Sequence, residues 1–169
     1  MESAYFATGC FWGAERRFWI LPGVIETSVG YMGGHKDNPT YEEVCSKDTN
    51  HAETVEVIFD PQQISYQRLL AEFFEMHDPT SLNKQGGDIG TQYRSAIFYT
   101  TPEQEALAFN AAKIYGRELA KDGMGPIVTE IEDAKPHKYW LAEEYHQKYL
   151  KKNPNGYDCH SSTGVPFPM

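Results

Sequence analysis

Tyr5-Phe6-Ala7-Thr8-Gly9-Cys10-Phe11-Trp12-Gly13 is where the chain changes from one periodicity to another. Tyr5 to Thr8 reads as a short strand feeding Gly9, and Trp12 to Trp19 reads as a helix stopped by Pro22-Gly23. A cysteine at such a junction lies near the partial positive charge of a helix N-terminus, which favours the thiolate, its nucleophilic form. Phe11 and Trp12 lay apolar surface beside the sulfur, and the flanking glycines let another molecule approach the backbone. The same residues, if buried, would form an inert Cys-Phe-Trp core cluster. The pentapeptide alone leaves both readings open.

Outward from this junction, strands and helices alternate. Val24 to Gly30 is a strand that gives way to Gly30-Tyr31-Met32-Gly33-Gly34. Tyr41, Val44 and Cys45 fall at helical spacing after the turn at Asn38-Pro39-Thr40, which turns Cys45 toward the core as a structural thiol. Val55, Val57 and Phe59 alternate with Thr54, Glu56 and Ile58 in a strand ended by Asp60-Pro61. Ser65 caps a helix whose Leu69, Phe73 and Met76 recur at i, i+4 and i+7. A long polar stretch from Asp78 to Arg94 is the kind of loop that is usually functional or disordered. Ala96 to Tyr99 is a strand, Thr101-Pro102-Glu103-Gln104 starts a helix, Ile127 to Ile131 is a late strand, and His137 to Leu150 reads as a last helix.

The order β-α-β, then β-α-β, with an appended helix, strand and helix, predicts an α+β fold. It is a two-layer sandwich of a mixed sheet with helices, built on a ferredoxin-like split βαβ core. A doubly wound parallel sheet is the alternative; one short helical segment between the Val24 and Val55 strands and the irregular tail favour the sandwich. Residues 1–169 are expected to form a single catalytic domain. From Asn153 on, Pro154, Gly156, Gly164, Pro166 and Pro168 deny any periodic element, so 153–169 is a tail that is mobile unless docked.

Acidic residues outnumber basic ones, 24 to 15, for a net charge of -9. That balance argues against nucleic acid or an anionic membrane as partner. No apolar run approaches a membrane span, and the N-terminus carries no signal-peptide pattern, so the cytoplasm is the expected compartment. The three cysteines, Cys10, Cys45 and Cys159, are odd in number and far apart, which is no disulfide framework.

His51-Ala52-Glu53 carries the H-x-E half of a zinc deaminase signature, but only Cys159 follows where two thiolates are needed, so no metal is expected. Glu53 keeps its interest at the edge of an apolar strand, where burial would hold it protonated as a proton donor. The glycine-rich runs at Gly30 and Gly86 match neither phosphate-loop pattern and read as loops. Asp88 and Tyr93 lie beside the second run, and Tyr41 follows a turn.

At this point the residues resemble a family, the A-type peptide methionine sulfoxide reductases. The likeness rests on Gly9-Cys10-Phe11-Trp12-Gly13, Leu21-Pro22-Gly23-Val24, Gly30-Tyr31-Met32-Gly33-Gly34, Asn38-Pro39-Thr40-Tyr41 and His51-Ala52-Glu53. It continues through His77-Asp78-Pro79, Gly90-Thr91-Gln92-Tyr93-Arg94-Ser95, Tyr145-His146-Gln147 and Asn153-Pro154. The resemblance implies an α+β fold and reduction of methionine S-sulfoxide, free or in proteins. It implies Cys10 as nucleophile, Phe11 and Trp12 against the substrate methyl, and Glu53 as acid. Tyr41 and Tyr93 would bind the sulfoxide oxygen, and Asp88 would belong to the substrate loop. No cofactor is implied, and thioredoxin would supply the electrons.

The chemistry agrees: a thiolate attacks electrophilic sulfur while an acid protonates the departing oxygen, leaving a cysteine sulfenic acid that a second thiol must resolve. Cys159 on the tail is the candidate resolver, although Asp158 separates it from Tyr157 and the tail holds only this one cysteine. Direct attack by an external thiol is the alternative. With one catalytic pocket, a monomer is expected. Two other readings remain open. Phe11, Trp12, Tyr41 and Tyr93 with Glu53 and Asp88 have the composition of an aromatic cage for a methylated cation. Cys10 could instead serve a thiol peroxidase or a Cys-His hydrolase, with His51 or His146 brought near it in space.

Overall fold

The structure is a computed structural model that describes residues 1–46, 48–158 and 161–168. In chain order its elements are β1 (Glu2–Thr8), α1 (Phe11–Trp19), β2 (Val24–Met32), α2 (Tyr41–Ser46), β3 (Ala52–Phe59) and α3 (Tyr66–Glu75). There follow β4 (Lys84–Gln85), β5 (Asp88–Ile89), β6 (Ser95–Tyr99), α4 (Pro102–Lys121), β7 (Glu130–Asp133), β8 (Trp140–Leu141) and α5 (Tyr149–Lys152).

The main sheet has the order β7-β6-β1-β3-β2-β8. Its middle, β6-β1-β3-β2, is antiparallel throughout, and α1 and α3 are the crossovers of two split βαβ units. β7 adds in parallel beside β6 and β8 antiparallel beside β2, which makes the sheet mixed and excludes the doubly wound alternative.

Strand alternation decides what faces the helices. Phe6 pairs with Val55 on one side and Ile97 on the other, and Val29 pairs with Val55, so one row crosses four strands into the main core. Phe18, Phe73 and Phe74 fill the helical side of that core. Tyr5, Ala7, Met32 and Phe98 point to the other face, under Ala134 and Tyr139. Glu53 is in phase with Val55 and Val57, which places a carboxyl on the face that α1 covers.

Local signals hold where side chain and backbone agree. Ser65 Oγ accepts the Arg68 N–H at 3.0 Å, and Thr101 Oγ1 accepts that of Gln104 at 3.0 Å. They fail where tertiary partners intervene. The late strand starts at Glu130, not Ile127, because Val128 N–H is donated to Pro79 O and Ile127 packs near Gly116 of α4. The helix expected over His137–Leu150 is replaced by β8, a 3-10 turn and the short α5. Trp140 and Leu141 pair with Tyr31 and Gly30, and the Gln147 side chain bonds both backbone groups of Val29 as another strand would. A Cβ on Gly30 would come 2.5 Å from Trp140 O, so glycine permits this close edge.

Cys45 is also corrected. It is exposed, and Val44 is the buried residue of the six-residue α2. Asp78–Arg94 is ordered by the β4–β5 hairpin and a 3-10 turn at Thr91–Tyr93. In the tail, Tyr115 donates to Val165 O at 2.6 Å, Phe167 N–H to Glu75 at 2.6 Å, and the Phe167 ring stacks on Tyr115. Among the described residues no helix is long and apolar enough to cross a membrane.

Glu15 closes the frame. Fully buried on α1, it accepts the Thr27 hydroxyl at 2.7 Å and the Lys148 N–H at 2.9 Å, and lies 3.1 Å from Lys148 Nζ. Glu15→Ala leaves those donors without their acceptor. It is expected to cost about 3 kcal/mol, read as a lower urea midpoint at unchanged slope.

Candidate active site

Cys10 is the N-cap residue of α1 and is 6% exposed. Gly9 before it has φ +113°, and a Cβ there would stand 2.9 Å from Gln85 Cγ. Gln85 is itself fixed, bonded through both ends of its amide to the backbone of Asp78. The missing side chain at Gly9 therefore seats the β4–β5 hairpin against the strand-to-helix junction, and the hairpin carries Asp88.

Glu53 reaches the same junction from β3. Its Oε1 accepts the Phe11 N–H at 3.1 Å, while Oε2 is buried with no hydrogen-bond partner among the described residues. Burial pushes this carboxyl up to about 8; the Asp88 charge adds to the rise and the Phe11 N–H opposes it. At neutral pH Glu53 is mostly a carboxylic acid.

The sulfur behaves differently from the helix-terminus expectation. N–H groups of Trp12 and Gly13 do favour the Cys10 thiolate. Burial outweighs them, with the charges of Glu53 and Asp88 acting in the same sense, and the resting group is a thiol. Stabilisation at a helix end is worth up to about 2 kcal/mol, less than the desolvation of a buried anion.

Tyr93, in the 3-10 turn, is raised by burial and then by Glu53, Cys45, Asp88 and Cys10, so it faces the same cluster. Tyr41 at the start of α2 is raised by burial, Glu53 and Cys45. Both phenols stay protonated and able to donate. The Cys45 sulfur is partly covered and bonded to Tyr41 and Gln92, which puts it by these phenols and not in the core.

Phe11 is buried, 5.8 Å from the Tyr31 ring and 5.2 Å from that of His146. Trp12 stacks on Tyr149 at 3.8 Å and donates its indole N–H to His146 Nδ1 at 2.9 Å. Of the two histidines considered for activating the thiol, His146 enters the site, but its Nδ1 is taken by the indole and burial keeps it neutral. His51 is used elsewhere, by Gly34 N–H and Lys36 O.

The structure thus gathers Cys10, Phe11, Trp12, Tyr41, Glu53, Asp88 and Tyr93, while Cys159 lies outside the described residues. Sequence reasoning missed Glu143, which accepts Tyr31 OH and Tyr41 N–H, both at 2.8 Å, and anchors α2 over the site. No local pattern marks it. Tyr31 itself was detectable, in phase with Val29 on the helix-facing side of β2. Among the described residues no group of three or more His, Cys, Asp or Glu side chains could hold a metal ion.

Comparison with known proteins gives one answer. The peptide methionine sulfoxide reductase family model matches residues 2–165. A peptide methionine sulfoxide reductase MsrA of Azotobacter vinelandii is 56% identical over 168 residues, 99% of this chain and 77% of that protein. The human mitochondrial peptide methionine sulfoxide reductase is 50% identical over 99% of this chain and 71% of its own length. The solved methionine sulfoxide reductase A of Corynebacterium diphtheriae superposes with a TM-score of 0.88 at 46% identity, covering 99% of this chain and 83% of that one.

Because Gly9 holds a left-handed backbone against a pinned glutamine, Gly9→Ala is expected to cost about 1–3 kcal/mol. Thermal unfolding measures the loss, and sulfoxide reduction should slow as the hairpin carrying Asp88 shifts.

Proposed function

The chain belongs to the peptide methionine sulfoxide reductase family, and from that premise we propose how its site reduces methionine S-sulfoxide, free or within proteins, to methionine. The observation that carries the reading is Glu53: a buried, protonated carboxyl held beside the first turn of α1, with one oxygen left without a partner among the described residues.

Sulfoxide sulfur is electrophilic, but its oxygen cannot leave as an oxide dianion. Cys10 attacks the sulfur while Glu53 gives its proton to the oxygen, and the carboxylate so formed takes the thiol proton. The Cys10–substrate sulfur bond so formed then breaks as the hydroxyl oxygen passes to the Cys10 sulfur, so sulfoxide plus thiol gives thioether plus sulfenic acid, with the substrate sulfur reduced and Cys10 oxidised. Tyr41 and Tyr93 donate to the sulfoxide oxygen and hold it toward Glu53. Phe11 and the Trp12 indole wall the methyl group. Asp88 closes the substrate loop. Because Cys10 rests as a thiol, nucleophile and acid share two protons, and the thiolate forms only as the sulfoxide oxygen accepts one.

Cys159 then condenses with the sulfenic acid, releasing water and forming a disulfide that thioredoxin reduces. An external thiol attacking directly is the alternative route. A monomer in the cytoplasm suits these steps, since the thiol cycle needs a reducing compartment.

The following measurements test this. With separated epimers and dithiothreitol, the S form should be consumed and the R form left; equal consumption would overturn the reading. Cys10→Ser should abolish turnover, and retained activity would remove the nucleophile. Glu53→Gln should slow the methionine-forming step by roughly 10²–10⁴-fold in single turnover. The proton donor is the protonated carboxyl, so the wild-type rate should be flat below about 8 and fall as pH rises through it, a limb absent in the glutamine variant. The same raised carboxyl makes folding less favourable as pH climbs from its unfolded value toward 8.

A further inference from the structure

Two consecutive tail residues are fastened on different sides of the site. Tyr157 donates its hydroxyl to Asp88 Oδ1 at 2.9 Å. Asp158 pairs through Oδ2 with Arg16 and through Oδ1 with Arg17, the latter at 2.9 Å. Arg17 is tied by the same Nη1 to Gly13 O at 3.1 Å, so its guanidinium is already set against the first turn of α1. The Asp158 side chain is only 16% exposed, more buried than an ordinary surface carboxylate.

Both anchors refer back to Cys10. Asp88 is close enough for its charge to act on the thiol. Arg16 lies on the helix that Cys10 caps, roughly 9 Å along its axis at 1.5 Å per residue. A further anchor follows at Ser162, which donates to Glu75 O at 2.9 Å. In sequence these fastenings bracket Cys159.

We propose that Asp158, held by Arg16 and Arg17, is a positioning residue for the resolving step. The proposal rests on Cys159 being the thiol that resolves Cys10. In that step the Cys159 sulfur attacks the Cys10 sulfenic sulfur, an S–S bond forms and the S–O bond breaks. Hydroxide leaves and takes the Cys159 proton as water; Cys159 is oxidised and the sulfenic sulfur reduced to the disulfide level. A free tail must close a loop each cycle, whereas a clamped one starts at high effective concentration. The charged clamp has no place in the sulfoxide step, so the two steps separate.

The test is a single turnover with limiting methionine sulfoxide and no reductant. Methionine release reports the first step, and peptide mapping against time reports the Cys10–Cys159 disulfide. Asp158→Asn should release methionine at the wild-type rate yet form the disulfide roughly fivefold to thirtyfold more slowly, the scale of two partly exposed ion pairs. Raised salt should slow the wild-type disulfide step and leave the variant's unchanged. Reversing the charges, Asp158→Lys with Arg16→Glu and Arg17→Glu, should recover the rate. If Asp158→Asn forms the disulfide as fast as wild type, the clamp is overturned and the resolver stands. If wild type forms no Cys10–Cys159 bridge, the resolver reading is overturned and the clamp with it.

Discussion

The buried hydrogen bond from Phe11 N–H to Glu53 Oε1 joins the central sheet to the first turn of α1, and the arrangement of the site follows from it. That amide is one of the donors a helix leaves unsatisfied at its N-terminus. Meeting it with a carboxyl from β3 fixes the helix end over the sheet. It leaves the second carboxyl oxygen buried beside the capping residue, Cys10. Desolvation then keeps both groups protonated.

Two opposing effects meet at the sulfur, and their sizes explain a resting thiol. Helix amides reward negative charge at Cys10, but a buried anion between two carboxyl groups costs more. A site of this kind does not hold a ready thiolate. On the mechanism proposed above, its protons lie where a bound sulfoxide oxygen would collect them, and the substrate would unmask the nucleophile it meets.

Everything around that pair is held from a distance. Gln85 packs where Gly9 has no side chain and brings the Asp88 hairpin in. Glu143 gathers Tyr31 and the start of α2. His146 and Tyr149 hold the Trp12 indole by its N–H and by its face. Glu15 ties the same C-terminal segment back to α1 through Lys148, a left-handed residue at φ +52°. The segment after α4 thus contributes little regular structure and much of the site's rigidity.

Sequence by itself determined the alternation of the central strands, the capped helices and the split βαβ order, because each is a local rule of period 2, period 3.6 or turn chemistry. It also determined the pairing of a cysteine with two aromatics and, from the phase of Val55 and Val57, the face on which Glu53 stands. Tertiary structure decided the rest. Period alone could not tell that 137–150 would serve an open sheet edge, since the Gln147 side chain and Gly30 settle that only when they meet. Nor could it tell that Cys45 would face outward, because α2 is too short for its spacing to define a face. The edge of an apolar strand already pointed to a protonated Glu53, but the resting thiol of Cys10 ran against the local rule of the helix N-terminus. A pKa is set by how much water is removed and which charges remain nearby, and both are decided by residues that the chain brings together only on folding.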